Sequence, residues 1–178
     1  MLKAMSNDSI VVSDFDDTLF MSGAAVAAAS EDIMGKPLSR AQVRSLGHGL
    51  KEAIYEAAKR RYNHLFVPNM KAIEYVQACE KRGMPVVILS AGSSAQVGEV
   101  SALLKKYNVP YDKLVMREDM SGRDEDWKKE KLGRLTVGYS TVILLEDKKE
   151  NLDLMATALE GKDVRCYLAS ESGLFSYP

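Results

Sequence analysis

The chain contains few of the residues on which several common site chemistries depend. It has two cysteines, Cys79 and Cys166, among 178 residues. Their spacing fits no metal-binding motif, and their places in a predicted helix and a predicted strand favour core thiols in a reducing compartment. Both histidines, His48 and His64, fall in one early segment, and neither follows the later acids, as the histidine of a Ser–acid–His hydrolase does. The composition therefore disfavours a cysteine-ligated metal site and a serine hydrolase.

Long apolar runs and an excess of one charge are absent as well. No apolar stretch approaches the roughly 20 residues that a membrane helix needs, and residues 1–9 are polar, without the apolar core of a signal peptide. The net charge is −1, from 24 basic and 25 acidic residues, which disfavours binding of nucleic acid through overall charge. We therefore expect a cytoplasmic protein without membrane association or an obligate protein partner.

The remaining pattern is that of one globular α/β domain, with 46% hydrophobic and 28% charged residues. Five short β-branched runs are largely apolar on both faces, as in strands buried between two helical layers. They occupy residues 10–12, 86–89, 113–116, 141–145 and 164–168. Helical patterns lie between them, at residues 70–82, 94–107, 124–135 and 151–159. The alternation predicts a doubly wound, Rossmann-like, mostly parallel sheet of five strands.

One segment interrupts this alternation. More than 40 residues between the first strand and Val67 carry no convincing strand pattern. Residues 24–34 are alanine-rich and predict a helix, and Ser39 is a suitable N-cap for a second helix that runs to about residue 63. The glycines within 47–49 are points at which that helix could break. The predicted organisation is a core of residues 1–20 and 66–178 with a small helical insertion of residues 21–65.

Three carboxylates follow directly on the first strand. Asp14 and Asp16 are two residues apart, so an extended backbone points both side chains the same way. In an open parallel sheet, ligands bind beyond the carboxyl ends of the strands. Converging carboxylates repel each other unless a cation such as Mg²⁺ neutralises them. One carboxylate can then attack phosphorus while the other, protonated, gives its proton to the leaving group. The residues alone leave a second interpretation open, an acidic turn in which an aspartate caps a helix.

This segment resembles the first motif of the haloacid dehalogenase-like superfamily, Asp-x-Asp-x-Thr followed by leucine, which residues 14–19 match in full. The resemblance implies that Asp14 is a nucleophile that forms an aspartyl-phosphate, and that Asp16 is general acid and then general base. It implies local support by Thr18. It also implies that the carboxylate of Asp14 and the backbone carbonyl of Asp16 bind Mg²⁺.

A second motif of that family, a serine or threonine that ends the next core strand, matches Ser90. A hydroxyl and the backbone amides that follow it can hold a phosphate oxygen. The resemblance therefore implies a catalytic role for Ser90, and it makes Ala91, Gly92 and Thr18 the expected substrate-binding residues.

The third and fourth motifs follow in the expected order. A lysine on a later helix offsets the charge of phosphate and nucleophile; Lys128 fits the family's pattern, and Lys129 is the alternative. The acidic pair Glu146 and Asp147 follows the fourth strand. The resemblance implies that this pair binds the metal, directly or through water, and that Asn151 supports it.

Together the motifs predict a Mg²⁺-dependent phosphohydrolase that acts on a small phosphorylated metabolite or a nucleotide. The insertion lies where the family has a small helical cap, and near its end Lys59, Arg60 and Arg61 form a basic cluster. That cluster has two interpretations, contact with an anionic substrate or a solvated helix face. A non-catalytic, phospho-accepting receiver-like domain is the alternative function, although a receiver's acceptor aspartate ends the third strand and Asp14 ends the first.

A narrower resemblance gives a second alternative, a polynucleotide 3′-phosphatase acting on a nucleic-acid end. Residues 114–117, 122–124 and 128–130 resemble the phosphatase part of phage polynucleotide kinase-phosphatases, which remove 3′-phosphates from nucleic acid. The chain departs from that pattern after Ser90, where the expected Ser-Gly-Arg is absent. It also has no P-loop motif, so no kinase activity is expected.

Overall fold

The computed structural model describes residues 8–120 and 122–178. The strands are β1 Ser9–Ser13, β2 Phe20–Met21, β3 Val67–Pro68, β4 Val86–Ser93, β5 Lys113–Arg117, β6 Thr141–Glu146, β7 Asp163–Ser170 and β8 Gly173–Tyr177. The helices are α1 Gly23–Met34, α2 Arg40–Arg44, α3 His48–Arg61, α4 Met70–Glu80, α5 Val97–Lys106, α6 Asp124–Leu135 and α7 Lys149–Thr157. None of the helices in these ranges is both long and apolar enough to cross a membrane. Residues 1–7, which the sequence assigns to the start of the core, lie outside the described residues.

The central sheet has six strands in the order β5-β4-β1-β6-β7-β8. Neighbouring strands are parallel except for β7 and β8, which form an antiparallel pair. The parallel neighbours require crossover connections, and these contain the helices. The arrangement confirms the predicted doubly wound, mostly parallel fold and all five predicted strands.

The sixth strand, β8, corrects the predicted count of five. It lies at the edge of the sheet and pairs Phe175 with Leu168 and Gly173 with Ser170 across a short turn. The Phe175 side chain is exposed, like much of this strand. An edge strand with a solvated face lacks the continuous apolar run by which the buried strands are recognised, so the sequence pattern missed it.

Two hydrophobic cores cover the two faces of the sheet. Val11 packs in one core with buried residues of α1, α3, α4 and α5. Its neighbours Ile10 and Val12 pack in the other core, with Leu132 of α6 and Leu152 of α7. This two-residue alternation follows from the pleat of the strand, and it anchors helices on both sides of β1.

The predicted helical insertion contains three helices rather than two. Ser39 caps α2, where its hydroxyl accepts the Gln42 amide N–H and the Gln42 side chain accepts the Ser39 N–H. The helical conformation is interrupted before Gly47, the residue that precedes α3, and this is the region in which the glycines predict a break. Buried faces of α1 and α3, including Val26 and Ile54, belong to the same core as β1. The insertion therefore packs directly on the sheet domain, and the antiparallel pair β2–β3 joins its two ends.

We predict that Leu132→Ala lowers the free energy of unfolding by about 2–5 kcal/mol, because this fully buried side chain anchors α6 to the sheet. The measurement is urea denaturation followed by circular dichroism. The control is Val137→Ala, which truncates a side chain that is 74% exposed and is expected to change the same quantity by about 0.5 kcal/mol or less. Equal losses in the two variants would contradict this account of α6.

Candidate active site

The register of three strands brings the predicted site residues to one edge of the sheet. Ser13, the last residue of β1, pairs with Ile88 of β4 and with Leu145 of β6. The residues that come next along β1 and β6 are Asp14 and Glu146, so both carboxyl groups lie level at the carboxyl ends of their strands. This is the edge at which open parallel sheets bind ligands.

A buried lysine lies between these two carboxylates. The Lys128 Nζ donates to Asp14 Oδ1 at 2.8 Å and to Glu146 Oε2 at 2.6 Å. All three residues are buried, with exposed fractions of 4%, 7% and 0% for Lys128, Asp14 and Glu146. Lys129, the alternative for the motif lysine, is exposed to solvent. Of the two lysines, the structure therefore brings Lys128 into the cluster.

Burial and charge act against each other in this cluster. Burial raises the pKa of Asp14 to about 6; Lys128 opposes the shift, and Glu146 and Asp16 add to it. Burial raises the pKa of Glu146 as well. Burial alone would lower the pKa of Lys128, but the attraction of the two carboxylates outweighs it and raises that pKa. Lys128 thus stays charged. Its single positive charge cannot balance both Asp14 and Glu146 when they are ionised, so a further cation would be needed.

The turn after β1 holds Asp14 in place and separates it from Asp16. The Asp14 amide N–H donates to the Leu145 carbonyl at 2.9 Å, and the Thr18 hydroxyl donates to Asp14 Oδ2 at 3.2 Å. Thr18 is fully buried and does not line the cavity, so its contact is with Asp14. Phe15, between the two aspartates, is also fully buried, while Asp14 and Asp16 both line the cavity. This is the alternation that the extended spacing predicts.

Asp17 reverses the chain direction behind the site. Its φ of 60° is in the left-handed region, which aspartate tolerates better than most residues. The Asp17 Oδ1 accepts hydrogen bonds from the Ser22 amide N–H at 2.8 Å and from the Ser22 hydroxyl at 3.0 Å. These bonds connect the acidic turn to the start of α1. The carboxylate of Asp17, the third of the run, therefore stabilises the turn.

The donor set at the sheet edge fits a hard divalent cation. Carboxylate oxygens of Asp14, Glu146 and Asp147 all lie within 4.8 Å of one another, and such oxygens are the ligands that Mg²⁺ prefers. The Asn151 Oδ1 is buried beside the same cavity and has no hydrogen-bond partner among residues 8–120 and 122–178. The Asp16 carboxylate is not in this group, so its predicted contribution to the metal is confined to its backbone carbonyl.

Ser90 and Gly92 form the neighbouring wall at the end of β4. The Ser90 hydroxyl accepts the Gly92 amide N–H at 3.2 Å and lies 3.4 Å from Asp16 Oδ2. A Cβ atom on Gly92 would lie 2.8 Å from the Lys59 Nζ and 3.3 Å from the Ser90 Oγ. The absence of a Cβ atom at Gly92 therefore permits the Lys59 Nζ and the Ser90 Oγ to lie this close to the backbone. Ala91 and Gly92, which the sequence predicts to bind substrate, line the cavity.

The helical insertion brings cations to the site to which the sequence pattern assigned no definite role. The cavity, of about 250 Å³, is lined on this side by Arg40, Arg44, Lys51 and Lys59. Arg44 lies 3.4 Å from Asp147 Oδ2, and Arg40 pairs with Asp17. The helical phase of α3 is the signal that could have found Lys59, since it separates this residue from its basic neighbours in the predicted cluster.

A buried arginine organises the loop that leads to Lys128. Arg117, at the end of β5, is 1% exposed. Its guanidinium binds the carboxylate of Asp124 at 2.5 Å, the carbonyl of Asp119 at 3.2 Å and the carbonyl of Gly122 at 3.4 Å. Asp124 begins α6, and Lys128 follows one helical turn later. Arg117 thereby fixes the start of the helix that carries the cluster lysine.

No family model and no curated protein matches the chain. Solved structures do match. A chain of the Pnkp1/Rnl/Hen1 RNA repair complex superposes with a TM-score of 0.60 at 19% identity, over 94% of this chain and 44% of that chain. The haloacid dehalogenase-like protein SP0104 from Streptococcus pneumoniae gives 0.63 at 13% identity, over 90% and 84%. The magnesium-bound HAD-hydrolase YfnB from Bacillus subtilis gives 0.58 at 12%, over 89% and 88%.

These likenesses establish the fold. The chain has the haloacid dehalogenase-like architecture that its motifs predicted, and it resembles both groups of proteins to which the sequence pointed. It spans less than half the length of the repair-complex chain. Likeness at identities of 19% or less shows a shared fold and does not assign the activity of these proteins to this chain.

We predict that Asp14→Asn does not destabilise the metal-free protein at pH 7.5 and raises its melting temperature. A carboxyl group whose pKa rises to about 6 on folding binds protons more tightly in the folded state, so the folded state loses stability as pH rises from about 4 to above 6. The amide avoids this loss, which is on the order of 1–3 kcal/mol. The measurement is thermal melting in EDTA, with exposed Glu80→Gln as the control. A clear drop in melting temperature specific to Asp14→Asn would contradict the argument.

Proposed function

We propose that the protein is a Mg²⁺-dependent phosphohydrolase that moves the phosphoryl group of a phosphate monoester first to Asp14 and then to water. The observation that carries the proposal is the buried contact of Lys128 with Asp14 and Glu146, whose carboxylates converge with that of Asp147 at the carboxyl ends of the strands. A lysine in this place neutralises charge on a phosphoryl group that approaches the nucleophile. The fold shared with hydrolases, one of them magnesium-bound, supports it.

The chemistry divides into two displacements. In the first, a carboxylate oxygen of Asp14 forms a bond to phosphorus, the ester P–O bond breaks, and Asp16 gives a proton to the leaving oxygen. In the second, water attacks the phosphorus of the aspartyl-phosphate, Asp16 takes a proton from that water, and inorganic phosphate leaves with Asp14 regenerated. Lys128 and the Ser90 hydroxyl stabilise the phosphoryl oxygens in both steps. The sum is ester plus water to alcohol plus phosphate.

The metal belongs to the acidic cluster in this proposal. Asp14, Glu146 and Asp147 would hold Mg²⁺, with the backbone carbonyl of Asp16, and Asn151 would accept a hydrogen bond at its edge. Bound Mg²⁺ would withdraw electron density from a phosphoryl oxygen and offset the charge of the carboxylates. Arg44, now 3.4 Å from Asp147, would then share that carboxylate with the ion.

We further propose that residues 21–65 act as a cap on the site. Their helices line the cavity with four basic side chains, and α3 lies against the sheet domain near α5. The Arg60 guanidinium is 3.8 Å from Glu99 of α5, an ionic contact between the two parts. A cap in this position shields the reacting group from bulk water and contacts the leaving part of the substrate.

We predict Mg²⁺-dependent phosphate release in a screen of sugar phosphates, nucleotides and 3′-phosphorylated oligonucleotides. Asp14→Asn should lower turnover at least about 1000-fold, because the amide oxygen is a poor nucleophile and the second step requires an acyl-phosphate. The fold should be retained, as judged by circular dichroism. Near-normal activity of Asp14→Asn on the substrates found would show that another residue is the nucleophile.

We predict that Asp147→Asn raises the Mg²⁺ concentration needed for half-maximal activity about 10- to 100-fold, the size of effect expected for a weakened ligand set. A titration of activity against Mg²⁺ measures it, with exposed Asp126→Asn as the matched control. An unchanged titration would remove Asp147 from the proposed metal site.

A polynucleotide 3′-phosphatase is the second candidate. The structural likeness to a chain of an RNA repair complex favours it, together with the motif resemblance of residues 114–117 and 122–124. In the same screen, a preference for 3′-phosphorylated oligonucleotides over nucleoside monophosphates would select this function. Stable phosphorylation of the protein without turnover would instead favour the receiver-like alternative.

A further inference from the structure

Lys59 carries a positive charge from α3 into the interior of the cavity. The residue is 5% exposed, although its neighbours Arg60 and Arg61 are exposed on the outer side of the helix. Its Nζ lies 2.7 Å from Asp16 Oδ2 and 5.9 Å from the centroid of the Phe15 ring. Burying an ammonium group is costly unless a partner compensates it, so this placement calls for a reason beyond surface solvation.

The position of Lys59 differs from that of Lys128. Lys128 binds the proposed nucleophile Asp14 and the metal-site residue Glu146. Lys59 binds Asp16, the residue that the proposed function assigns to the leaving oxygen. Its ammonium therefore lies on the side of the cavity where the leaving part of a substrate must sit, and Gly92 leaves the space for it there.

The cavity is lined by basic residues other than the lysine that contacts the proposed nucleophile. Lys128 and the proposed Mg²⁺ already compensate the transferred group. Of the basic residues that the helical insertion contributes, Arg40 and Arg44 contact core carboxylates behind and beside the metal site. Lys59 faces the remaining space with a carboxylate partner that is itself 27% exposed at its side chain. A substrate anion can share or replace that contact with a charge-assisted hydrogen bond of its own.

We propose that Lys59 is a specificity-determining residue that binds a second anionic group, a carboxylate or a phosphate, on the leaving part of the substrate. The inference rests on the proposed phosphohydrolase function and names its substrate class as phosphate monoesters with a second anion near the ester. A substrate without that anion leaves Lys59 bound to Asp16, the group needed at the leaving oxygen. The protein then discriminates through the leaving group, at a distance from the phosphoryl transfer itself.

The test compares kcat/KM within two substrate pairs at saturating Mg²⁺. Glycerol 1-phosphate against 3-phosphoglycerate adds a carboxylate, and a nucleoside 3′-monophosphate against the 3′,5′-bisphosphate adds a phosphate. Wild-type protein is expected to prefer the doubly anionic member of at least one pair, and the pair that responds identifies the anion. Lys59→Met and Lys59→Gln should reduce that preference about 10- to 100-fold, the effect of one lost charge-assisted hydrogen bond.

Three controls make the result specific. Lys59→Arg keeps the charge and should retain the preference, and Lys105→Met removes an exposed lysine of α5 and should change neither pair. In the Met and Gln variants, the loss of kcat/KM should be larger for the doubly anionic member of the responding pair than for the singly anionic member, because only the doubly anionic member loses its contact with Lys59. Thermal melting checks that both variants are folded.

Phosphate release by the wild-type protein without preference in either pair would overturn the inference and leave the proposed function intact. Equal losses on both members of a pair in the Lys59 variants would also overturn it, because they would place Lys59 on the transferred phosphoryl group or on the fold. Failure of the wild-type protein to release phosphate from any of the four esters would count against the proposed function itself, and the inference would fall with it.

Discussion

The buried contact of one ammonium group with two carboxylates constrains the rest of this structure. Lys128 reaches Asp14 and Glu146 because β1 and β6 end at the same level and α6 packs on the sheet through Leu132. A buried ammonium group must be paired to be tolerated, and here Glu146 is a second partner beside Asp14. The hydrophobic anchoring of α6 through Leu132 and the hydrogen bonds of Arg117 at its start both serve this placement. The same geometry that stabilises the lysine gathers more negative charge than the lysine can neutralise.

That excess of negative charge adds ionic contacts to the hydrophobic packing that holds the helical insertion against the sheet domain. Each of three basic residues from the insertion contacts a carboxylate of the acidic edge: Arg40 with Asp17, Arg44 with Asp147, and Lys59 with Asp16. The residues of the Arg44 and Lys59 contacts line the cavity, so a metal ion and a phosphorylated ligand can compete for the same charges. Under the proposed function, substrate binding is therefore expected to change the ionic contacts between residues 21–65 and the sheet domain.

Much of this could be predicted from the sequence, and the omissions have physical causes. The buried strands and the acidic run after β1 were predicted because apolar residues on both faces and clustered carboxylates are strong local signals. The edge strand β8 was missed because one face is solvated. The sequence left two adjacent candidates for the lysine of the cluster. Their positions on the helix decide between them, because Lys128 is buried and Lys129 is exposed. Lys59 was placed in a basic cluster with two interpretations. Helical phase separates Lys59 from its basic neighbours, but the packing of α3 is needed to show that Lys59 is the one that faces the cavity.

The central claim is that Asp14, beside Lys128 and with a divalent cation, accepts a phosphoryl group. Beryllofluoride tests it without knowledge of the substrate, because the fluoride complex of beryllium binds an aspartate oxygen as a tetrahedral mimic of phosphate. The measurement is fluorine NMR of the protein with beryllofluoride, with and without Mg²⁺. The account predicts bound fluorine resonances that require Mg²⁺ and are absent from Asp14→Asn. No bound resonance on folded wild-type protein at saturating Mg²⁺, or resonances that persist in Asp14→Asn, would contradict it.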